Sequence, residues 1–219
     1  MGKPSRWLTG SAGLALTVYL GWRFASRWRA LPCPTWLAKL VELDNPLFRV
    51  DSARAIVGHL DLQPGMRALD FGCGPGRLTV PIAETVGAAG SVLGLDIQEG
   101  MLDRARRKVR SARLTNASLR LAKPGDAGLG RDEFDRAVMV TVLGEIPDRQ
   151  AALQEVTDAL KPGGLVSVTE VVVDPHFQTR GAVRRLAATA GLREVAFFGN
   201  RLGFTLNFEK ARGPRPAQG

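Results

Sequence analysis

Two cysteines, Cys33 and Cys73, stand in unrelated contexts in a chain of 219 residues, too few for a disulfide framework and wrongly spaced for a zinc site. This usage points to a reducing compartment for the folded part. No acidic residue occurs before Glu42, whereas Lys3, Arg6, Arg23, Arg27 and Arg29 all lie in the first thirty positions. Five of the nine net positive charges therefore flank one apolar segment, which favours a membrane surface over nucleic acid as partner. The sequence lacks the Lys-Ser/Thr ending of a phosphate-binding loop, and its glycine-rich turn has Arg77 where a dinucleotide fingerprint requires glycine. Nucleoside triphosphate hydrolysis and NAD binding are disfavoured accordingly. With 45% hydrophobic and 23% charged residues, the composition is that of a folded globular protein with one ordinary domain and an extension.

No long hydrophobic run is present either. The uncharged stretch WLTGSAGLALTVYLGW from Trp7 to Trp22 would make a helix about 24 Å long, short of a hydrocarbon core of about 30 Å. Its terminal tryptophans, whose rings prefer the headgroup level, and its flanking arginines favour membrane insertion, as a transmembrane or an interfacial helix, and no small-residue cleavage site follows it. The expectation is a membrane-associating helix in residues 1–30 with the main domain in the cytoplasm; the alternative is a helix packed on that domain. Residues 31–60 read as connecting helices, broken by the prolines of LPCPTW, with DSARAIVGHL a short helix capped by Asp51 or Ser52. Cys33 and His59 read as structural.

Residues 61–210 form the main domain, followed by a flexible tail over 211–219. Met66 to Phe71 has the apolar pattern of a buried parallel strand, with Asp70 near its carboxyl end and a helix expected from about Arg77. Gly72, Gly74 and Gly76 give a turn that can approach a ligand without side-chain obstruction. SVLGLDIQEGML supplies a second buried strand ending in Asp96, placed to accept hydrogen bonds from both ribose hydroxyls of an adenosyl ligand. Alone, Asp96 could equally cap the helix that follows. EFDRAVMVTVLGEIPD predicts a strand over 135–142 and a helix over 149–160; KPGG reads as a turn and LVSVTEVVV as a strand. AVRRLAATAGL reads as a helix, and EVAFFG with GFTLNFEK as a closing hairpin. The fold expected is α/β: a doubly wound, seven-stranded, mostly parallel sheet with one antiparallel strand, plus the amino-terminal hydrophobic helix.

ALDFGCGPGRLTVPIAE, VLGLDIQEGMLDRAR and ALKPGGLVSVTE together resemble the motif series of class I S-adenosylmethionine-dependent methyltransferases, over about residues 51–209. The resemblance implies S-adenosylmethionine as cofactor. Asp70, Gly72 and Gly74 would then surround its methionine part, with Gly76 also counted among the cofactor residues, Asp96 would take the ribose, and Ile97 and Met101 would pack beside the adenine. GDA at 125–127 is similar to the segment after the third strand, making Asp126 the partner of the adenine amino group. A loop aspartate without a ligand is the competing reading of Asp126.

On the acceptor side stand Thr141, Glu145, Glu170, Asp174 and His176, with Thr141 also counted among the cofactor residues. Glu145 ranks first as a general base and His176 second, its ordinary pKa being near 6.5. The competing readings are a helix cap for Glu145 and an exposed loop histidine for His176. LKPGG and the strand-borne TE are similar to those of quinone and phospholipid methyltransferases, which implies a small hydrophobic or lipid-like acceptor. The alternatives are a protein or nucleic-acid methyltransferase, raised by the basic stretch RARRKVRSAR at 104–113, or a cofactor-binding membrane module without turnover. That basic stretch carries no interleaved aromatics for base stacking, and the end of the fourth strand lacks the Asn/Asp-Pro-Pro-aromatic motif of amino-group methyltransferases.

Overall fold

The computed structural model describes residues 52–125 and 127–212, together with Thr17, Gly21 and Val50. The expectations for residues 1–30 and for the tail, the role of Cys33, a cap at Asp51 and the assignment of Asp126 fall outside the described residues. Among those described, no helix is long and apolar enough to cross a membrane.

Over the described residues from 52 onward the elements follow in the order α1 (Ala53–His59), β1 (Arg67–Phe71), α2 (Thr79–Val86), β2 (Ser91–Asp96), α3 (Glu99–Ser111), β3 (Ala117–Leu121), β4 (Phe134–Val140), a 3-10 turn (Leu143–Glu145), α4 (Arg149–Ala159), β5 (Leu160–Val171), α5 (Arg180–Thr189), β6 (Leu192–Gly199) and β7 (Gly203–Lys210). The seven strands form one sheet in the order β3-β2-β1-β4-β5-β7-β6. β1 to β5 run parallel, while β7 is antiparallel to both β5 and β6. Strand order reverses between β1 and β4, so the carboxyl ends of those strands open the crevice in which doubly wound sheets hold ligands.

Alternation along the strands divides the core into two layers. Ala68 of β1 and Val138 of β4 meet Ile56, Leu78, Ile82 and Val86 of the α1 and α2 layer. Leu69 and Phe71 point the other way, with Met139, Leu153, Val156 and Val183 of the α4 and α5 layer. α3 forms because apolar Met101, Leu102, Ala105 and Val109 recur on one face, while Glu99 in its first turn and Lys108 and Arg110 in its last complement the helix dipole. Side-chain caps start α1 at Ser52, α4 at Asp148 and α5 at Thr179, each accepting a backbone N–H three residues on. Asn207 Nδ2 of β7 donates to the His59 carbonyl at 2.6 Å, tying the end of α1 to the sheet, and the His59 ring stacks on Phe198 at 3.7 Å.

Three boundaries depart from the sequence expectation. KPGG is not a free turn: it lies inside β5, where Phe134 pairs with Leu160 but Arg136 pairs with Leu165, so residues 161–164 bulge out of the ladder. β4 stops at Val140 rather than 142, because Thr141 takes φ 50° and leaves the extended conformation. α2 begins at Thr79 rather than Arg77, after the glycine turn has run its course.

Candidate active site

The chain leaves β1 through Gly72 at φ 79°, a left-handed conformation that suits glycine. A Cβ there would also collide with the side chain of Val142, which follows β4 across the switch point. Gly72 and Cys73 both donate their N–H to the Leu95 carbonyl, at 2.9 and 2.7 Å, anchoring the turn on the end of β2. Gly74 N–H then donates to Asp96 Oδ2 at 2.8 Å, and Gln98 N–H to Asp96 Oδ1 at 2.9 Å. Burial raises the pKa of Asp96, opposed by those backbone hydrogen bonds, and the oxygens keep further lone pairs for two incoming hydroxyls.

Beside this turn lies a cavity of about 520 Å³, within the range of small-molecule sites. Of the residues expected from sequence, Gly72, Gly74, Asp96, Ile97, Met101, Thr141, Glu145 and Asp174 line it. Asp70, Gly76, Glu170 and His176 do not. Asp70 is buried one layer behind, accepting from Thr79 Oγ1 of α2 at 2.6 Å, and burial pushes its pKa up to about 6. Gly76 packs against Ala105 of α3 and brings that helix close to the turn. The two residues thus support the turn rather than face the cavity.

The cavity fits an adenosyl cofactor on two observations. Nothing lies within 4 Å of where a Gly74 side chain would begin, so that wall is open space bordered by backbone. At the same wall the half-buried Asp96 carboxylate, already ordered by two N–H groups, presents its remaining acceptor capacity. Asp126 falls outside the described residues, but its neighbours Gly125 and Ala127 both donate to the Glu155 carboxylate of α4, at 2.9 and 2.7 Å. Lys123, Pro124 and Ala127 line the cavity from that loop.

Sequence reasoning did not single out Gln98, Lys123, Val142, Ile146 or Pro147, all of which line the cavity. Adjacency to Asp96 and Glu145 was a usable signal for Gln98, Ile146 and Pro147. Val142 had none, since its role follows from the missing side chain of Gly72. Thr141 is a β-branched residue held at φ 50°, a strained position in the cavity wall, and its N–H donates to the Thr169 carbonyl at 2.9 Å.

At the far end of the cavity the loops after β4 and β5 meet. Gly144 admits the His176 carbonyl where any side chain would collide with it. Arg149 clamps the Glu145 turn by donating to the carbonyls of Leu143 at 3.2 Å and Gly144 at 3.0 Å. His176 Nδ1 lies 3.8 Å from Glu145 Oε1 and 3.8 Å from Asp174 Oδ1. Its side chain is only 3% exposed, which rules out the exposed loop histidine, and burial followed by the Arg149 charge lowers its pKa. His176 is therefore placed behind the two carboxylates that line the cavity.

The loop holding His176 is fastened from below by Glu170. Its Oε2 accepts from Gln178 N at 3.0 Å, and Gln178 Nε2 donates to the His176 carbonyl at 2.7 Å. Burial pushes the Glu170 pKa well above the usual carboxylate range, and its Oε1 has no hydrogen-bond partner among the described residues. A neutral acid at this depth costs far less than a buried charge would.

Residues 62–194 match the model of a family described as Methyltransferase domain. A demethylmenaquinone methyltransferase of Shouchella clausii is 40% identical over 115 residues, 51% of this chain and 47% of that protein. The chain thus spans about half the length of the curated relatives it matches. A SAM-dependent methyltransferase from Aquifex aeolicus superposes with a TM-score of 0.71 at 21% identity, covering 81% of this chain and 98% of its own. One from Methanosarcina mazei does so with a TM-score of 0.62 at 22% identity, over 72% and 98% of the two chains. Glycine turn, cavity-lining aspartate, strand order and family match converge: the chain belongs to the methyltransferase domain family and has the class I S-adenosylmethionine-dependent methyltransferase fold.

Proposed function

We propose that the protein transfers the methyl group of S-adenosylmethionine to a small hydrophobic acceptor of the quinone class at a membrane surface, with its catalytic domain on the cytoplasmic side. The observation that carries the acceptor class is the 40% identical stretch shared with a demethylmenaquinone methyltransferase. Apolar cavity walls from Ile97, Met101, Val142 and Ile146 support it. Asp96 would hold the ribose, and the backbone of Gly72 and Gly74 would border the methionine part. When bound, the cofactor supplies an electrophilic sulfonium methyl group. In-line displacement makes positioning the main contribution, worth up to about 7–11 kcal/mol in favourable systems. Glu145, in the cavity wall, would accept the proton that the acceptor gives up as its new bond to the methyl carbon forms and the sulfonium–methyl bond breaks. Asp174 lines the same end of the cavity, and the His176 ring sits behind both carboxylates, 3.8 Å from each.

The basic face of α3 lends no support to a nucleic-acid substrate: Arg106 is paired within the helix to Glu99 and to Asp103. The test is incubation of the full chain with methyl-labelled cofactor and membrane extract, then mass spectrometry of lipid, protein and nucleic-acid fractions. Label in a quinone-like lipid is expected. Label confined to protein or nucleic acid would overturn the acceptor class, and cofactor binding with no labelled product would leave a binding module.

A further inference from the structure

Exposed apolar residues scattered singly are ordinary on a protein surface. Among the described residues the large exposed ones are Ile97, Leu121, Val173, Val195, Phe197 and Leu202. Four of these six stand at the edge of the sheet where the cavity opens. Ile97 follows the carboxyl end of β2, Leu121 is the last residue of β3, Val173 lies just beyond β5, and Leu202 directly precedes β7. Because β7 is antiparallel to β5 and Gly203 pairs with Val171, the β6–β7 hairpin comes to the same edge. Val172 N–H donates to the Leu202 carbonyl at 2.7 Å, which holds the two tips together.

These tips straddle the cavity mouth. Ile97, Lys123 and Asp174 are part of the cavity wall, so Ile97 and Leu121 flank it on one side and Val173 and Leu202 on the other. From β3 to β7 there are five strand spacings in the sheet order, about 24 Å. Exposure of 53% at Leu121 and 57% at Leu202 is high for leucine in a folded domain and makes the two ends the most prominent points. The two most exposed tips each have an exposed cation close by in sequence: Lys123 beside Leu121 and Arg201 beside Leu202. Glu99, two residues from Ile97, is paired to Arg106, the Glu145 and Asp174 side chains are less than a fifth exposed, and the Asp148 carboxylate caps α4. The outward charge of this edge is therefore basic.

We propose that this edge docks on an anionic phospholipid surface, with Leu121, Ile97, Val173 and Leu202 entering the acyl boundary and Lys123 and Arg201 at the phosphate level. The cavity mouth then faces the bilayer, and a lipid-like acceptor enters without crossing water. That consequence rests on the acceptor class proposed above; the docking itself does not.

The test uses the full chain carrying Cys33→Ser and Leu202→Cys, labelled at position 202 with an environment-sensitive fluorophore, Cys73 being buried. Vesicles of phosphatidylcholine with phosphatidylglycerol should blue-shift the label, pure phosphatidylcholine should do so less, and added salt should weaken the effect. The unlabelled double variant Val173→Asp/Leu202→Asp should lose roughly tenfold or more in vesicle affinity and keep its circular dichroism spectrum. Its turnover of a water-soluble, short-chain acceptor should be unchanged. A protein that sediments with vesicles while the label stays unshifted would overturn the proposal, since the amino-terminal residues then anchor it alone. A label already shielded without lipid would overturn it too, pointing to another part of the chain or a second copy as occupant. An inserted label without a lipid product separates the two readings: docking stands and the acceptor class falls.

Discussion

The two halves of the cleft are built from different materials. On the β1–β2 side the polar part of the ligand wall is mainly backbone, glycines and two N–H groups spent on one carboxylate whose position they set, with Ile97 and Met101 as apolar lining. On the β4–β5 side it is side chains: Glu145 and Asp174 in the wall, with His176 and Glu170 buried behind. A wall of backbone suits a ligand that never changes, because its geometry follows from the fold. A wall of ionisable side chains suits a step in which a proton moves. Loops that meet only in the folded state, as at Gly144 and His176, let this second half be altered without disturbing the first.

The sharpest way to break that division is Glu145→Gln. If Glu145 takes the acceptor's proton, turnover should fall roughly 10²–10⁴-fold while cofactor affinity by calorimetry stays within error. A change under tenfold would place the proton elsewhere, and a loss of cofactor affinity would erase the division. Next comes Asp96→Ala, which removes the charged acceptor of the ribose side. Loss of two charge-assisted hydrogen bonds at about 1.5 kcal/mol each predicts about a hundredfold weaker cofactor binding. Turnover at saturating cofactor should recover much of its wild-type value, and unchanged affinity would remove the ribose assignment.

The smallest effect concerns stability. The folded-state pKa of Asp70 is about 6 against an ordinary 3.8, so the folded protein holds this proton to higher pH than the unfolded chain. Folding stability should therefore fall as pH rises from about 4 to about 6 and stay lower above that, by about 3 kcal/mol. Asp70→Asn cannot ionise and should escape that loss, keeping the Thr79 hydroxyl as partner. Denaturant unfolding of both proteins at pH 4 and pH 7 checks it, with Glu170 contributing the same sign to each and cancelling in the comparison. Parallel curves for the two proteins would show that Asp70 is not paying this cost.

Much of the fold was legible because its signals are local. Apolar runs mark the buried parallel strands, the glycine turn marks the switch from β1 to α2, and the closing β6–β7 hairpin is visible in two alternating segments around GNRLG. KPGG misled because glycine and proline look alike in a turn and in a bulge; only the pairing of β5 with β4 tells them apart. The candidate site was less legible. Asp96 could be named from its place at a strand end, but whether Asp70 faced the cavity or α2 depended on side-chain direction one layer down.

By itself the sequence determined the period of each element, the glycine turn after β1 and the acidic ends of the strands, since these depend on backbone sterics and near neighbours. Only the tertiary structure decided which loops meet. Val142 fills the space left by Gly72, Arg149 pins the turn of Glu145, and His176 ends behind two carboxylates instead of in solvent. Those pairings join segments far apart in the chain across the β1–β4 switch point and the adjoining strand ends, where packing rather than local preference sets the distance.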